Sequence, residues 1–126
     1  MSSRDLFGRR RAAFAPAVDV FYEGDPPRAV VHVELPGVDP DDVAVEVLDR
    51  ELLLTGTRRA PKAEGRLYQQ IEIEHGAFRR VIPLGADVDA TATSASYRDG
   101  ILVVTLPLVR PEPRTRRVPI AEQERS

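Results

Sequence analysis

The chain has no cysteine and no tryptophan, a single methionine, and only two histidines in 126 residues. Without cysteine there is neither a disulfide framework nor thiol chemistry, a usage that suits a reducing cytoplasm. His32 and His75 have no second histidine or cysteine at ligand spacing, so solvated or structural roles are expected of them and no metal site is assigned. No apolar run reaches the roughly eighteen residues a membrane span requires, and the amino terminus carries no signal-peptide pattern. An excess of charge of one sign is also lacking. Eighteen basic residues face twenty acidic ones for a formal net charge of -2, leaving no global field to draw nucleic acid or an anionic membrane. A soluble cytoplasmic protein is the expectation.

Catalytic patterns are missing as well. There is no Gly-x-Ser-x-Gly elbow, no phosphate loop and no dinucleotide fingerprint. Glu72 and Glu74 fall on one face of an alternating stretch and read as a charged edge that resists aggregation. Asp39, Asp41 and Asp42 lack the glycine and closing glutamate of a calcium loop. No enzyme and no cofactor are expected.

What the chain does contain is a period of two. Val18, Val20 and Tyr22 share one face of a first strand, which Gly24-Asp25-Pro26-Pro27 ends. Val31, Val33 and Leu35 point inward from a second, with His32 and Glu34 outward, and Pro36-Gly37 supplies a type II turn. Asp39-Pro40-Asp41-Asp42 reads as a capped helical turn. Val43, Val45 and Val47 then line one face of a third strand, and Leu52 to Thr57 form a buried fourth. After a charged loop, Leu67 to Glu74 alternates again and could pair with its own sheet or reach another subunit. Phe78 to Leu84 follows as a strand. Last comes a hairpin, Thr93 to Tyr97 and Ile101 to Leu106 around Asp99-Gly100, whose second arm reads as apolar on both faces. Eight short strands without an amphipathic helix of normal length mean an all-β antiparallel sandwich.

Three regions result: a short flexible arm over residues 1–15, a domain over 16–108, and an extended tail over 109–126. The arm is polar and Arg-rich, with Leu6, Phe7 and Phe14 its large apolar groups. The sandwich leaves a groove between Val43, Val45, Val47 and the thin arm carrying Thr93 and Ala95, which suits an extended peptide. The tail supplies one in Val118-Pro119-Ile120. Its two aliphatic side chains project to the same side, and Pro119 stiffens the backbone. An ordinary terminus with two aliphatic residues by chance is the plainer alternative.

Four motifs, in order, resemble the small heat-shock protein family of bacterial type, built on the α-crystallin domain: Glu34-Leu35-Pro36-Gly37-Val38, Gly76-x-Phe78-x-Arg80, Ala95-x-Tyr97-x-Asp99-Gly100-Ile101-Leu102, and Val118-Pro119-Ile120. The third fits the family's A-x-x-x-(D/N)-G-(V/I)-L signature and the fourth its I/V-x-I/V tail motif. The resemblance implies an immunoglobulin-like sandwich and a homodimer made by exchanging the strand that carries Leu67, Tyr68, Ile71 and Ile73. Arg80 would sit at that interface against carboxylates, and larger oligomers would be joined by tails in neighbouring grooves. It further implies ATP-independent holding of partly unfolded clients, which Leu6, Phe7 and Phe14 would meet. Arg50 and Gly85 depart from the family's usual Gly or Asn and Pro, and the short arm implies smaller assemblies or co-assembly with a longer paralogue. An adaptor of the related CS-type co-chaperone fold, binding one folded partner, is the competing expectation.

Overall fold

A computed structural model of the chain describes residues 13–109 and 117–123. Its strands are β1 (Val18–Glu23), β2 (Arg28–Glu34), β3 (Val43–Leu48), β4 (Glu51–Arg58), β5 (Gly76–Pro83), β6 (Ser94–Arg98) and β7 (Ile101–Pro107). Two antiparallel sheets, ordered β1-β2-β7-β6 and β3-β4-β5, face each other as a sandwich. The interior follows from alternation: Val31, Val33 and Leu35 meet Leu52, Leu54, Phe78, Ile82, Leu102, Val104 and Leu106, all buried. Full burial of each such side chain contributes about 1.5 to 3 kcal/mol, the main favourable term in so small a core.

The turns obey local chemistry. Asp99 and Gly100 take positive φ values of 53° and 79°, so the β6–β7 hairpin closes through two left-handed residues, the geometry that matches strand twist. Asp49, at φ 54°, takes the left-handed position of the β3–β4 turn, which leaves Arg50 free to pair with Asp87 at 2.9 Å. The carboxylates of the Asp39–Asp42 stretch are spent structurally. Asp39 caps a short 3-10 turn by accepting from Asp41 N–H at 2.9 Å, and Asp42 receives two Arg59 nitrogens at 2.7 Å each. Gly56 lies cross-strand from Phe78, and any Cβ there would overlap the Phe78 ring and the Asp42 carbonyl.

Two expectations change. The described residues form seven strands rather than eight, because Leu67 to Glu74 is an irregular loop in the single chain, although its sequence alternates. Its apolar groups find no face to cover: Leu67 is 102% exposed and Ile71 71%. β7 is central in its sheet, yet only Leu102, Val104 and Leu106 are buried; Ile101, Val103 and Thr105 form a half-exposed outer face, since no layer packs there. Among the described residues no helix is long and apolar enough to cross a membrane.

Candidate functional site

The two lateral edges of the sandwich differ. Along the β1/β5 edge the sheets are tied together. Ala13 and Phe14 donate backbone N–H groups to Ala77 O at 2.7 and 3.3 Å, and the Phe14 ring packs on Phe78 with centroids 5.5 Å apart. Further along, Arg80 reaches Pro16 O at 3.5 Å, and Gly85 N–H donates to the Tyr22 hydroxyl at 2.7 Å. The β3/β6 edge is open. Between these strands lie two adjoining hollows, of about 180 Å³ and 310 Å³, that share Val45 and Ala95. Val43, Tyr97 and Leu102, with Pro40 and Ser96, complete the first; Val47, Thr93 and Ala90, with Ser94, complete the second.

Local structure builds this opening. Alternation turns Val43, Val45 and Val47 toward the other sheet, where they are half-buried, while Ala44, Glu46 and Leu48 face solvent. Opposite them, Ala95 is too small to fill the gap. The Tyr97 hydroxyl donates to Leu35 O at 2.6 Å, and Leu35 N–H donates to Gly100 O at 2.8 Å. The Glu34–Val38 motif and the Asp99-Gly100 motif thus meet and hold the ring that walls one end. At the other end Asp89 caps the 3-10 turn Ala90–Ala92 and fixes Thr93, whose hydroxyl donates to Asp89 O at 2.9 Å. The Thr91 hydroxyl, donating at 2.7 Å, chiefly holds the Asp89 carboxyl below its ordinary range, aided by the Ala92 and Thr91 N–H groups.

All five residues expected to line the groove, Val43, Val45, Val47, Thr93 and Ala95, therefore come together. The tail does not sit there within the same chain: Val118 is 73% and Ile120 94% exposed, and Pro119 is exposed between them. Leu67, Tyr68, Ile71 and Ile73 share one loop, where Tyr68, Ile71 and Ile73 border a hollow of about 450 Å³ with Pro61 and His75. Arg80 stands apart on β5, bonded to a carbonyl of its own chain. Phe14 is half-buried on Phe78, whereas Leu6 and Phe7 lie outside the described residues. Three contributors escaped the sequence reading: Tyr22, Asp89 and Arg58. For Arg58 only the position was legible, since Leu52, Leu54, Gly56 and Arg58 fall on one face of a strand, and not the contacts it makes.

An immunoglobulin-like β-sandwich with one tied edge and one apolar edge left open is the architecture of an α-crystallin domain. The chain belongs to the Hsp20/alpha crystallin family, whose pattern matches residues 23–121 and so runs through Val118-Pro119-Ile120. It is a small heat-shock protein, of a family of chaperones. It is 32% identical over 124 residues to the 18 kDa antigen 2 of Mycobacterium avium, covering 98% of this chain and 86% of that one. It is 40% identical over 97 residues to the 19.0 kDa class II heat shock protein of Oryza sativa, a match that spans 71% of this chain and only 55% of the rice protein. The solved heat shock protein 16.0 of Schizosaccharomyces pombe superposes with a TM-score of 0.68 at 32% identity, covering 86% of this chain and 99% of that one. The CS-type adaptor reading finds no support in these likenesses.

Proposed function

We propose that the protein is an ATP-independent holdase that binds partly unfolded chains in the cytoplasm and limits their aggregation, without catalysis of its own. The observation that carries this reading is the open β3/β6 edge, with two apolar hollows side by side and the chain's own Val118 and Ile120 left in solvent. Residues two apart on an extended segment project to the same side about 6.5 Å apart. A tail from a neighbouring subunit fits such a pair of hollows. Each aliphatic group buried there contributes up to about 1.5 to 3 kcal/mol before ordering costs, which makes one tail a weak latch and several a stable assembly.

The dimer forms by strand exchange. β1 is an edge strand with unpaired backbone groups along one side, and the loop bearing Leu67, Tyr68, Ile71 and Ile73 has the alternation of a strand without a partner in its own chain. Adding that segment to the neighbour's β1 satisfies both. Arg80 then takes a carboxylate partner across the interface. Clients meet Leu6, Phe7 and Phe14 and grooves vacated by tails, so conditions that release the latches raise the apolar surface on offer.

The test is light scattering from a heated, aggregating enzyme with and without an equal number of subunits of the intact protein, in buffer free of nucleotide. Suppressed scattering is expected, and unchanged scattering would remove the holdase reading.

A further inference from the structure

β4 carries the core inward until its last residue. Leu52 and Leu54 are buried, Gly56 leaves room for the Phe78 ring, and Arg58, next on the same face, emerges at the end of the sandwich. Its guanidinium carbon lies 4.6 Å from the Phe14 ring centroid. Its Nε donates to Pro36 O at 3.1 Å and its Nη1 to Glu74 O at 2.9 Å. Both acceptors are main-chain carbonyls, so the bonds are charge-assisted and place backbone rather than neutralise a carboxylate. Three distant segments converge on this one cation: the N-terminal stretch, the turn after β2, and the end of the loop that leads into β5.

We infer that Arg58 is a positioning residue that couples docking of the N-terminal stretch, through Phe14, to placement of the 67–75 loop, through Glu74. The inference rests on the strand-exchange reading only for its consequence in assembly. Glu74 lies two residues before Gly76, where β5 begins, so it stays with its own sandwich wherever the loop's tip is bound. It is the loop's root. Phe14 lies between Arg58 and Phe78 and is further held by N–H bonds from Ala13 and Phe14 to Ala77 O. The guanidinium carbon sits over the ring while Nε and Nη1, two nitrogens of one rigid fork, serve the two carbonyls, a geometry that the single nitrogen of a lysine on its flexible stem does not reproduce. Removing the ring exposes one face of the guanidinium to water and loosens the geometry at Glu74. By reciprocity, loosening the root weakens arm docking by the same factor. When an apolar client draws Phe14 away from Phe78, the exchange loop is released from its root, and subunits trade faster.

The test uses the full chain in four forms: wild type, Phe14→Leu, which keeps apolar bulk on Phe78 but removes the ring, Arg58→Lys, which keeps the charge but removes the fork, and the double variant. Thermal unfolding first establishes that each is folded. Amide hydrogen exchange is then read over residues 70–78 and at Ala13 and Phe14, and subunit trading is read by native mass spectrometry after mixing light and isotopically heavy protein. Expected is faster exchange over 70–78 in Phe14→Leu and faster exchange at Ala13 and Phe14 in Arg58→Lys, each by about 5-fold or more, the lower range of ordinary coupling. Trading should accelerate in both, and the double variant should do no more than the stronger single one. Unchanged exchange over 70–78 in Phe14→Leu, or effects that multiply in the double variant, would overturn the coupling. If the wild type is monomeric, trading has no signal and the strand-exchange reading fails, while the two amide readouts still decide whether Arg58 couples arm and loop.

Discussion

Gly85 donates its backbone N–H to the Tyr22 hydroxyl at 2.7 Å, and this bond fastens the connection after β5 to β1 in the opposite sheet. Family likeness leads one to expect proline at this position, which could not make the bond. Tyr22→Phe should lower stability by about 0.5 to 1.5 kcal/mol, the net worth of one hydrogen bond. Gly85→Pro should act through the same bond, so the double variant should lose little more than one of them in urea denaturation. Full additivity would show that the two residues are energetically separate.

Gly56 is required by close approach rather than by unusual backbone angles. A methyl group there meets the Phe78 ring and the Asp42 carbonyl, so something in a filled core must move. Gly56→Ala is expected to destabilise by about 1 to 3 kcal/mol, the usual cost of overpacking, as read from the denaturant midpoint. A neutral or stabilising result would mean that β5 shifts freely against β4.

Asp89 gives the groove's end a pH dependence of known sign. The Thr91 hydroxyl first, then the Ala92 and Thr91 N–H groups, hold its carboxyl below the ordinary range. In the window below that range the unfolded chain binds more protons than the native one. The stabilisation is therefore fully present above about pH 4 and is lost as pH falls through the native value. Asp89→Asn keeps an acceptor but does not titrate. The stability difference between wild type and Asp89→Asn should be constant from neutral pH to about pH 5 and shift toward the variant below about pH 4. A difference that stays flat through the acid range would contradict this.

Much of the sandwich was legible because strand periodicity and turn chemistry are local. Alternation at Val31, Val33 and Leu35 and at Val43, Val45 and Val47 assigned the faces correctly, and Asp99-Gly100 and Pro36-Gly37 placed the turns. The groove was legible for the same reason, since inward valines opposite a small Ala95 leave a gap wherever two sheets meet. Leu67 to Glu74 was not, because alternation marks which residues share a face but not whether a partner strand lies alongside, and in the single chain this stretch pairs with none of the edge strands. Nor was the role of Arg58. Its acceptors are the carbonyls of Pro36 and Glu74, groups that every residue carries and that no side-chain pattern marks.

The central claim is that an open edge on one subunit is filled by the proline-stiffened end of another. It is tested most directly by the native mass of the intact chain beside a variant in which Val118 and Ile120 are both alanine. Removing the aliphatic groups from the tail leaves the described core untouched, so the variant should stay folded and its mass should fall to that of a dimer. Equal masses for the two proteins would contradict the account.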